Sequence, residues 1–297
     1  MVGSWLTVDL ALKNGKVYIS QGVIEAGLAI DNKKIVKIAK YVNLPPASEE
    51  IDLNGHLVLP GMIDVHVHFR DQELAYKEDF YSGTAAAANG GVTLAIDMPN
   101  NKPVTMSLES LRERIRIAKE KTVVNVAFYS AFPSETNEIS QVVKDGGAVA
   151  FKLFMSQQIG GINPQDEETL IKALEETARI KVPVAVHAED SKLLTSKRRE
   201  CGENEALEDY LKVHSSKAEA EAVKYVLQLS RRTGAKIHFC HVSSTEGIRA
   251  ISAAKKAGLS VSCEVTPYHL LVSSQYLNQI GAIALTDPPA REQRITS

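Results

Sequence analysis

Residues 60–103 read PGMIDVHVHFRDQELAYKEDFYSGTAAAANGGVTLAIDMPNNKP, and this stretch decides the fold. An apolar strand begins near Met62, a helix-like segment ends at Asn89-Gly90, and a second apolar strand begins near Val92. Acidic residues open the helical segment and glycine closes it, as is typical of helix termini. A strand, a helix and a second strand in this order predict a βαβ unit with parallel strands.

The alternation of strands and helices continues along the chain. Strand candidates begin near Met62, Val92, Val123, Ala148, Val182, Lys236 and Ser260. Seven such units in succession favour an α/β fold of the (β/α)8 TIM barrel type over a doubly wound sheet.

The N-terminal segment has a different pattern. It consists of short extended runs, and its Asn14-Gly15 and Asp31-Asn32 pairs are typical of hairpin turns. We therefore predict a small β-sandwich module over residues 1–55 and a barrel over residues 56–297.

Composition excludes several function classes. The chain has 297 residues, of which 44% are hydrophobic, so it must bury a substantial core. Its 34 basic and 36 acidic residues give a net charge of −2, which argues against nucleic-acid binding. Three scattered cysteines argue against a thiolate zinc site or a disulfide framework. Since the sequence shows neither a signal peptide nor about 18 consecutive apolar residues, we expect a cytoplasmic protein without membrane association.

Four histidines stand at the ends of predicted strands. His66 and His68 are two residues apart, so they share one face of the first barrel strand with Asp64. His187 ends the fifth strand and His241 ends the sixth. Barrel enzymes carry their reactive groups at the carboxyl ends of the strands, so these imidazoles are expected to converge. We call them the strand-end histidines and predict that they bind a divalent metal.

Lys152 lies within the apolar fourth strand, GAVAFKLFMS. A charged ammonium is costly to bury there, so the side chain must extend to solvent, pair with an acid, or react with carbon dioxide to form a carbamate. Beside four inward histidines we predict the carbamate, which would bridge two divalent metals. No site role is predicted for His56 and His214, which fall in turn-like or polar segments, or for His238, which should face away from His241.

The stretch at residues 60–103, together with FKLFM, VHAED, HFCHVSS and EVTPYHLL, resembles the dihydroorotase branch of the cyclic amidohydrolases. The resemblance covers nearly the whole chain. Its specific part is the HxHxR motif combined with MPN at this spacing. The resemblance implies a metal-dependent amidohydrolase barrel that binds one or two zinc ions. Its metal ligands fall on His66, His68, Lys152, His187 and His241, with Lys152 carboxylated.

The resemblance also implies substrate-binding residues. In dihydroorotases the arginine of HFR and the asparagine of MPN hold the substrate carboxylate, which assigns this role to Arg70 and Asn100. Asp287 replaces the asparagine of the family's Asn-Pro-Pro-Leu-Arg segment, and its charge should weaken the binding of an anionic substrate. An ordinary ion pair of Arg70 with Asp71 or Glu73 is the alternative to the substrate role.

The family's catalytic aspartate lies in a Ser-Asp-His segment of the eighth strand, and no such segment occurs before Ser297. We therefore expect an incomplete barrel that lacks its last strand, and the catalytic residue stays unassigned. In the alternative interpretation, GAIAL at residues 281–285 is the eighth strand and Asp287 is that aspartate.

The activity implied is the reversible hydrolysis of dihydroorotate to N-carbamoyl-aspartate in pyrimidine biosynthesis. An allantoinase or hydantoinase-like cyclic amidase and a non-catalytic assembly partner are the alternatives. A homo-oligomer or a complex with aspartate carbamoyltransferase is the expected assembly.

Overall fold

The computed structural model describes residues 7–202, 206–276, 279, 281 and 285–291, and the chain divides into two compact units between Met62 and Ile63. The described part of the first unit has strands β1 (Val8–Ile19), β2 (Gly22–Asp31), β3 (Lys34–Ala39), β4 (Ala47–Asp52) and β5 (Leu57–Val58). They form one sheet in the order β3-β2-β1-β4, and β5 also pairs with β1. A small N-terminal β module is therefore present, as predicted.

The two predicted turns of this module have different outcomes. Asn32 and Lys33 have left-handed φ angles of 48° and 62° and connect β2 to the antiparallel β3, which confirms the second turn. Asn14-Gly15 lies instead inside β1, where the register with β2 shifts. Asn14 has a φ of 56°, so this pair forms a bulge within one long strand rather than a turn between two strands.

The second unit contains a seven-stranded sheet. In the described residues its strands are β6 (Met62–Val67), β7 (Val92–Asp97), β8 (Asn125–Ala131), β9 (Ala150–Phe154), β10 (Val184–His187), β11 (Ile237–Phe239) and β12 (Val261–Cys263). The strands are neighbours in sequence order, and β7 to β12 pair in parallel. Each strand begins within two residues of its predicted start. The eighth-strand interpretation of GAIAL falls on residues 281–285, of which 282–284 lie outside the described residues.

In the described residues, helices alternate with the strands of this sheet, and one further helix follows β12. Their bounds are α1 (Phe80–Asn89), α2 (Leu108–Lys121), α3 (Ile139–Lys144), α4 (Glu167–Arg179), α5 (Ser191–Cys201), α6 (Leu207–Val213), α7 (Ser216–Thr233), α8 (Thr245–Lys256) and α9 (Pro267–Leu271). The longest, α7, begins where the Ser215 side chain accepts a hydrogen bond from the Ala218 amide, and it ends at the left-handed Gly234. Across the described residues, none of the helices combines the length and the apolar character that crossing a lipid bilayer requires.

The two faces of the barrel strands carry different residues. In β10, Val184 and Val186 belong to the large apolar core, whereas Ala185 belongs to a smaller cluster that also contains Ala150 of β9. Side chains alternate along a strand, so Lys152 shares the face of Ala150, and His187 shares the face of Ala185. The strands therefore deliver both polar side chains to the same side of the sheet.

Candidate active site at the carboxyl ends of the strands

The strand-end histidines lie side by side. His66 and His68 stand at the end of β6, with ring centroids 5.3 Å apart, and the His66 ring is 5.2 Å from that of His241. The His187 and His241 rings are 4.9 Å apart, and Nδ1 of His187 lies 3.3 Å from Nε2 of His241. The structure thus brings together all four histidines that the sequence predicts as metal ligands.

The surroundings of three of these rings favour the neutral imidazole. Burial lowers the pKa of His66 even though its contact with Glu264 acts in the opposite direction. Burial and nearby positive charges together lower the pKa of His68 and His241 well below the usual value. A neutral imidazole has a free lone pair on one ring nitrogen. The lone pairs suit a divalent metal such as zinc, which binds histidine nitrogen readily.

Lys152 lies in the same cluster. Its side chain is buried, its Nζ donates to Sγ of Cys240 at 2.9 Å, and it lies 5.0 Å from the ring centroid of Phe154. The Lys152 charge also contributes to the lowered pKa values of His66 and His241. The side chain therefore points into the site rather than to solvent.

Two acids that the sequence analysis did not single out contact the strand-end histidines. Glu264, which directly follows β12, contacts Nδ1 of His66 through Oε1. Glu189 lies two residues after β10 and is 2.9 Å from Nε2 of His187 through Oε2. Burial opposes ionisation of both acids, but their histidine contacts outweigh it and hold the pKa of each well below its usual range. Their positions just past strand ends are the sequence signal that could have identified them.

Two histidines left without a role contact these acids. His238 was predicted to face away from the site, and this prediction is wrong, because its Nε2 lies 3.1 Å from Oε2 of Glu264. The strand alternation breaks after Phe239, where β11 ends, and His241 has a left-handed φ of 35°. His214 is buried at the end of α6, with Nδ1 3.1 Å from both oxygens of Glu189.

The described residues contain two groups with the composition of a metal site. One group is His66, Cys240 and Glu264, and the other is His187, Glu189 and Asp287. In each group the candidate ligand atoms lie within 4.8 Å of one another. Each group includes a strand-end histidine, so the donors at the strand ends are of the kind that a divalent metal requires.

Arg70 and Asn100 also meet at the strand ends. Nη1 of Arg70 donates to the backbone oxygen of Asn100 at 3.3 Å, and Oδ1 of Asn100 lies 2.7 Å from Nδ1 of His68. Within the described part of the chain, no ion pair joins Arg70 to Asp71 or Glu73, since Asp71 pairs with Lys121 at 2.9 Å. The two predicted carboxylate-binding residues are therefore adjacent to one strand-end histidine.

Asp287 lies at a different part of the site. Its Oδ1 is 3.9 Å from Nε2 of His187 and 3.7 Å from Nδ1 of His214, and 59% of its side chain is exposed. The Asp287 carboxylate thus stands next to the Glu189 carboxylate and reaches solvent, whereas Glu189 does not.

The chain belongs to the amidohydrolase family, because the model of the Amidohydrolase family matches residues 57–286. This family is metal-dependent, which agrees with the two groups of candidate ligands. The (β/α) barrel of the amidohydrolase type predicted from the sequence is confirmed.

Individual relatives carry more specific names. The dihydroorotase of Methanosarcina mazei is 31% identical over 289 residues, which are 95% of this chain and 63% of that protein. The allantoinase of Rubrobacter xylanophilus is 36% identical over 250 residues, or 82% of this chain and 55% of that protein. Among solved structures, the L-hydantoinase (dihydropyrimidinase) from Arthrobacter aurescens has a TM-score of 0.89 at 28% identity, covering 97% of this chain and 65% of that one. The resemblance to the dihydroorotase branch of the cyclic amidohydrolases is confirmed, and the chain spans less than two thirds of each relative's length.

Proposed function

We propose that this chain carries the site of a zinc-dependent dihydroorotase, which hydrolyses dihydroorotate reversibly to N-carbamoyl-aspartate in pyrimidine biosynthesis. The observation that carries the proposal is the contact of Arg70 and Asn100 beside His68. A guanidinium and an amide donor at this point suit the carboxylate of dihydroorotate. The dihydroorotase names of several relatives support the same substrate.

The strand-end histidines and Lys152 would hold the metal. We propose one or two zinc ions, bridged by carboxylated Lys152 if there are two. A bound zinc ion would polarise the ring amide carbonyl and lower the pKa of a bound water. The neutral rings of His66, His68 and His241 and the buried Lys152 fit this assignment.

The chain's own residues would bind and orient the substrate. Oδ1 of Asn100 is engaged with His68, so its amide N–H groups are left to donate to a carboxylate. Arg70 would supply the positive charge for the same carboxylate, and Asp287 would repel it from the side of His187. The substrate carboxylate is therefore expected to lie toward Arg70, with the scissile amide over the histidines.

A cyclic amidase for an uncharged ureide is the second candidate. The exposed carboxylate of Asp287 favours it, because allantoin and hydantoin carry no carboxylate for Asp287 to repel. The allantoinase of Rubrobacter xylanophilus is a relative of this chain at 36% identity.

Substrate preference tests the two candidates. Hydrolysis of dihydroorotate, allantoin and hydantoin would be measured on the chain with zinc and bicarbonate present. We expect turnover of dihydroorotate and a raised KM in Arg70→Met, with no such change in the exposed control Glu175→Gln. Preference for allantoin or hydantoin would contradict the dihydroorotase assignment, and a well-folded protein without metal or turnover would favour the non-catalytic assembly partner.

The location, the binding partners and the domain bounds of the protein are also proposals. We propose a cytoplasmic protein that acts on a small molecule and binds no nucleic acid, with a β-sandwich module over 1–55 and a barrel over 56–297. Its near-neutral charge and scattered cysteines support this proposal. Size-exclusion chromatography with and without aspartate carbamoyltransferase would test for a homo-oligomer or for a complex of the two.

A further inference from the structure

Two carboxylates each join a strand-end histidine to a histidine outside that set. Glu189 contacts Nε2 of His187 at 2.9 Å on one side and Nδ1 of His214 at 3.1 Å on the other. Glu264 likewise contacts Nδ1 of His66 through Oε1 and Nε2 of His238 at 3.1 Å through Oε2. His187 and His66 are therefore supported in the same way, each by a carboxylate that lies between two imidazoles.

These contacts decide which ring nitrogen faces the site. A carboxylate accepts a hydrogen bond, so the nitrogen that meets it carries the proton and the other nitrogen carries the lone pair. In His187 the lone pair then lies on Nδ1, which is the atom 3.3 Å from Nε2 of His241. In His66 it lies on Nε2. Each carboxylate therefore turns the free nitrogen of its histidine away from itself.

The outer histidines hold the carboxylates in place. His214 is buried, its ring lies 4.4 Å from that of Tyr210, and its backbone oxygen accepts from Arg291. It contacts both oxygens of Glu189, so rotation of that carboxylate away from His187 would break contacts on both sides. Asp287 approaches the same two rings but stays at 3.9 Å and 3.7 Å, beyond hydrogen-bond distance.

We propose that Glu189 and Glu264 are positioning residues, each fixing the tautomer and orientation of one metal-binding histidine, with His214 and His238 as their outer supports. This inference rests on the proposed function in so far as the strand-end histidines bind metal. A carboxylate behind a metal-binding histidine typically changes metal affinity by about 10–100-fold. Removal of Glu189 should weaken the ion held by His187 and His241, and removal of Glu264 should weaken the ion held by His66 and His68.

Two measurements test the proposal. In the first, histidine nitrogen NMR of the metal-free wild-type chain reports which nitrogen of His187 is protonated. We expect the Nε2–H form in the wild type and a mixture of forms in Glu189→Gln. A dominant Nδ1–H form in the wild type would overturn the proposal. Because this measurement uses the wild type, it does not depend on whether a variant folds.

The second measurement is zinc affinity by competition with a chelator. We expect a loss of about 10–100-fold at one ion in Glu189→Gln, a smaller loss in His214→Gln, and wild-type affinity in Glu175→Gln, an exposed glutamate of α4. Equal affinity in the wild type and Glu189→Gln would overturn the proposal. If the wild type bound no zinc while the His187 tautomer was as expected, the positioning role would stand and the metal part of the proposed function would fail.

Discussion

Replacing Arg114 with methionine should destabilise the protein through the segment that carries Arg70. Arg114 of α2 is fully buried and donates from Nε and Nη2 to Oδ2 of Asp97, at 3.0 and 2.8 Å. Its Nη1 donates to the backbone oxygen of Arg70 at 2.7 Å and to Oε1 of Gln72 at 3.0 Å. Arg70, Asp71 and Gln72 all have left-handed φ angles, of 57°, 53° and 52°. Three such residues in a row need outside support, and Arg114 supplies part of it.

The size of the expected loss of stability follows from the contacts that the substitution leaves unpaired. Methionine can fill much of the space over the Phe80 ring, which lies 4.2 Å from the guanidinium carbon, but it cannot pair with the Asp97 carboxylate. Removing one partner of a buried ion pair costs about 3–5 kcal/mol, because the remaining charge is uncompensated. Burial already raises the pKa of Asp97 against the opposing charge of Arg114, so without Arg114 this pKa should rise further.

The sign of the pH dependence follows from that shift. A carboxyl group whose pKa is higher in the folded than in the unfolded protein contributes its stability at low pH, and it loses that contribution as pH rises through the folded pKa. The destabilisation by Arg114→Met should therefore be smaller at pH 5 than at pH 7.5. In a double variant with Asp97→Asn, part of the loss should return, since no buried charge is left.

Urea denaturation of the metal-free chain at both pH values provides the assay. The wild type, each single variant and the double variant together form a cycle that isolates the pair. A loss below about 1 kcal/mol in Arg114→Met would refute the reasoning, because that is the range of an exposed ion pair. So would a loss that is larger at pH 5 than at pH 7.5. Arg116→Met on the exposed face of the same helix, where the ion pair with Glu113 is in solvent, serves as the matched control.

Three further predictions address other parts of the site. Hydrogen bonds from the Phe80 amide and from Lys121 outweigh burial and lower the pKa of Asp71. The ionised Asp71 should therefore stabilise the folded protein above pH 4, and this stabilisation should be lost as pH falls below it. Asp71→Asn should reduce this dependence of the unfolding free energy on pH, measured in denaturation curves, and should cost about 1–3 kcal/mol at pH 7. Lys152 should give a carbamate carbon signal with labelled bicarbonate and zinc, and Lys152→Arg should abolish this signal while the protein stays folded. Glu219 accepts from both backbone amides of Ser243 and Ser244, so Glu219→Gln should lower the thermal midpoint through a loss of about 1–3 kcal/mol, and an unchanged midpoint would contradict this role.

The barrel could be predicted because its signals are local. Strands of a parallel sheet are covered on both faces, so each reads as a short apolar run between helical segments. The seven runs from Met62 to Ser260 therefore indicated the strands directly, and the strand-end rule indicated which polar side chains converge. The bulge at Asn14-Gly15 could not be told from a turn, because both need the same left-handed backbone.

The contacts of Glu189 and Glu264 with histidines could not be predicted, because the residues in contact are distant in sequence. Glu264 meets a histidine 198 residues earlier in the chain, and Glu189 meets His214 across the whole of α5 and α6. No periodicity relates such residues. The orientation of His238 relative to His241 could not be predicted for a different reason: side chains do not alternate regularly past the end of β11, because the backbone turns at His241.

Glu189 and Asp287 affect His187 to different degrees because one carboxylate is buried and the other is exposed, a difference that the sequence alone does not reveal. Glu189 and Asp287 both approach His187, at 2.9 and 3.9 Å. Water screens the exposed Asp287, so its interaction with His187 is limited to about 1 kcal/mol, the range of surface ion pairs. Glu189 is 1% exposed, is within hydrogen-bond distance and is not screened in this way. The electrostatics of His187 therefore depend mainly on Glu189, while Asp287 acts mainly on an anionic group that approaches His187 from solvent.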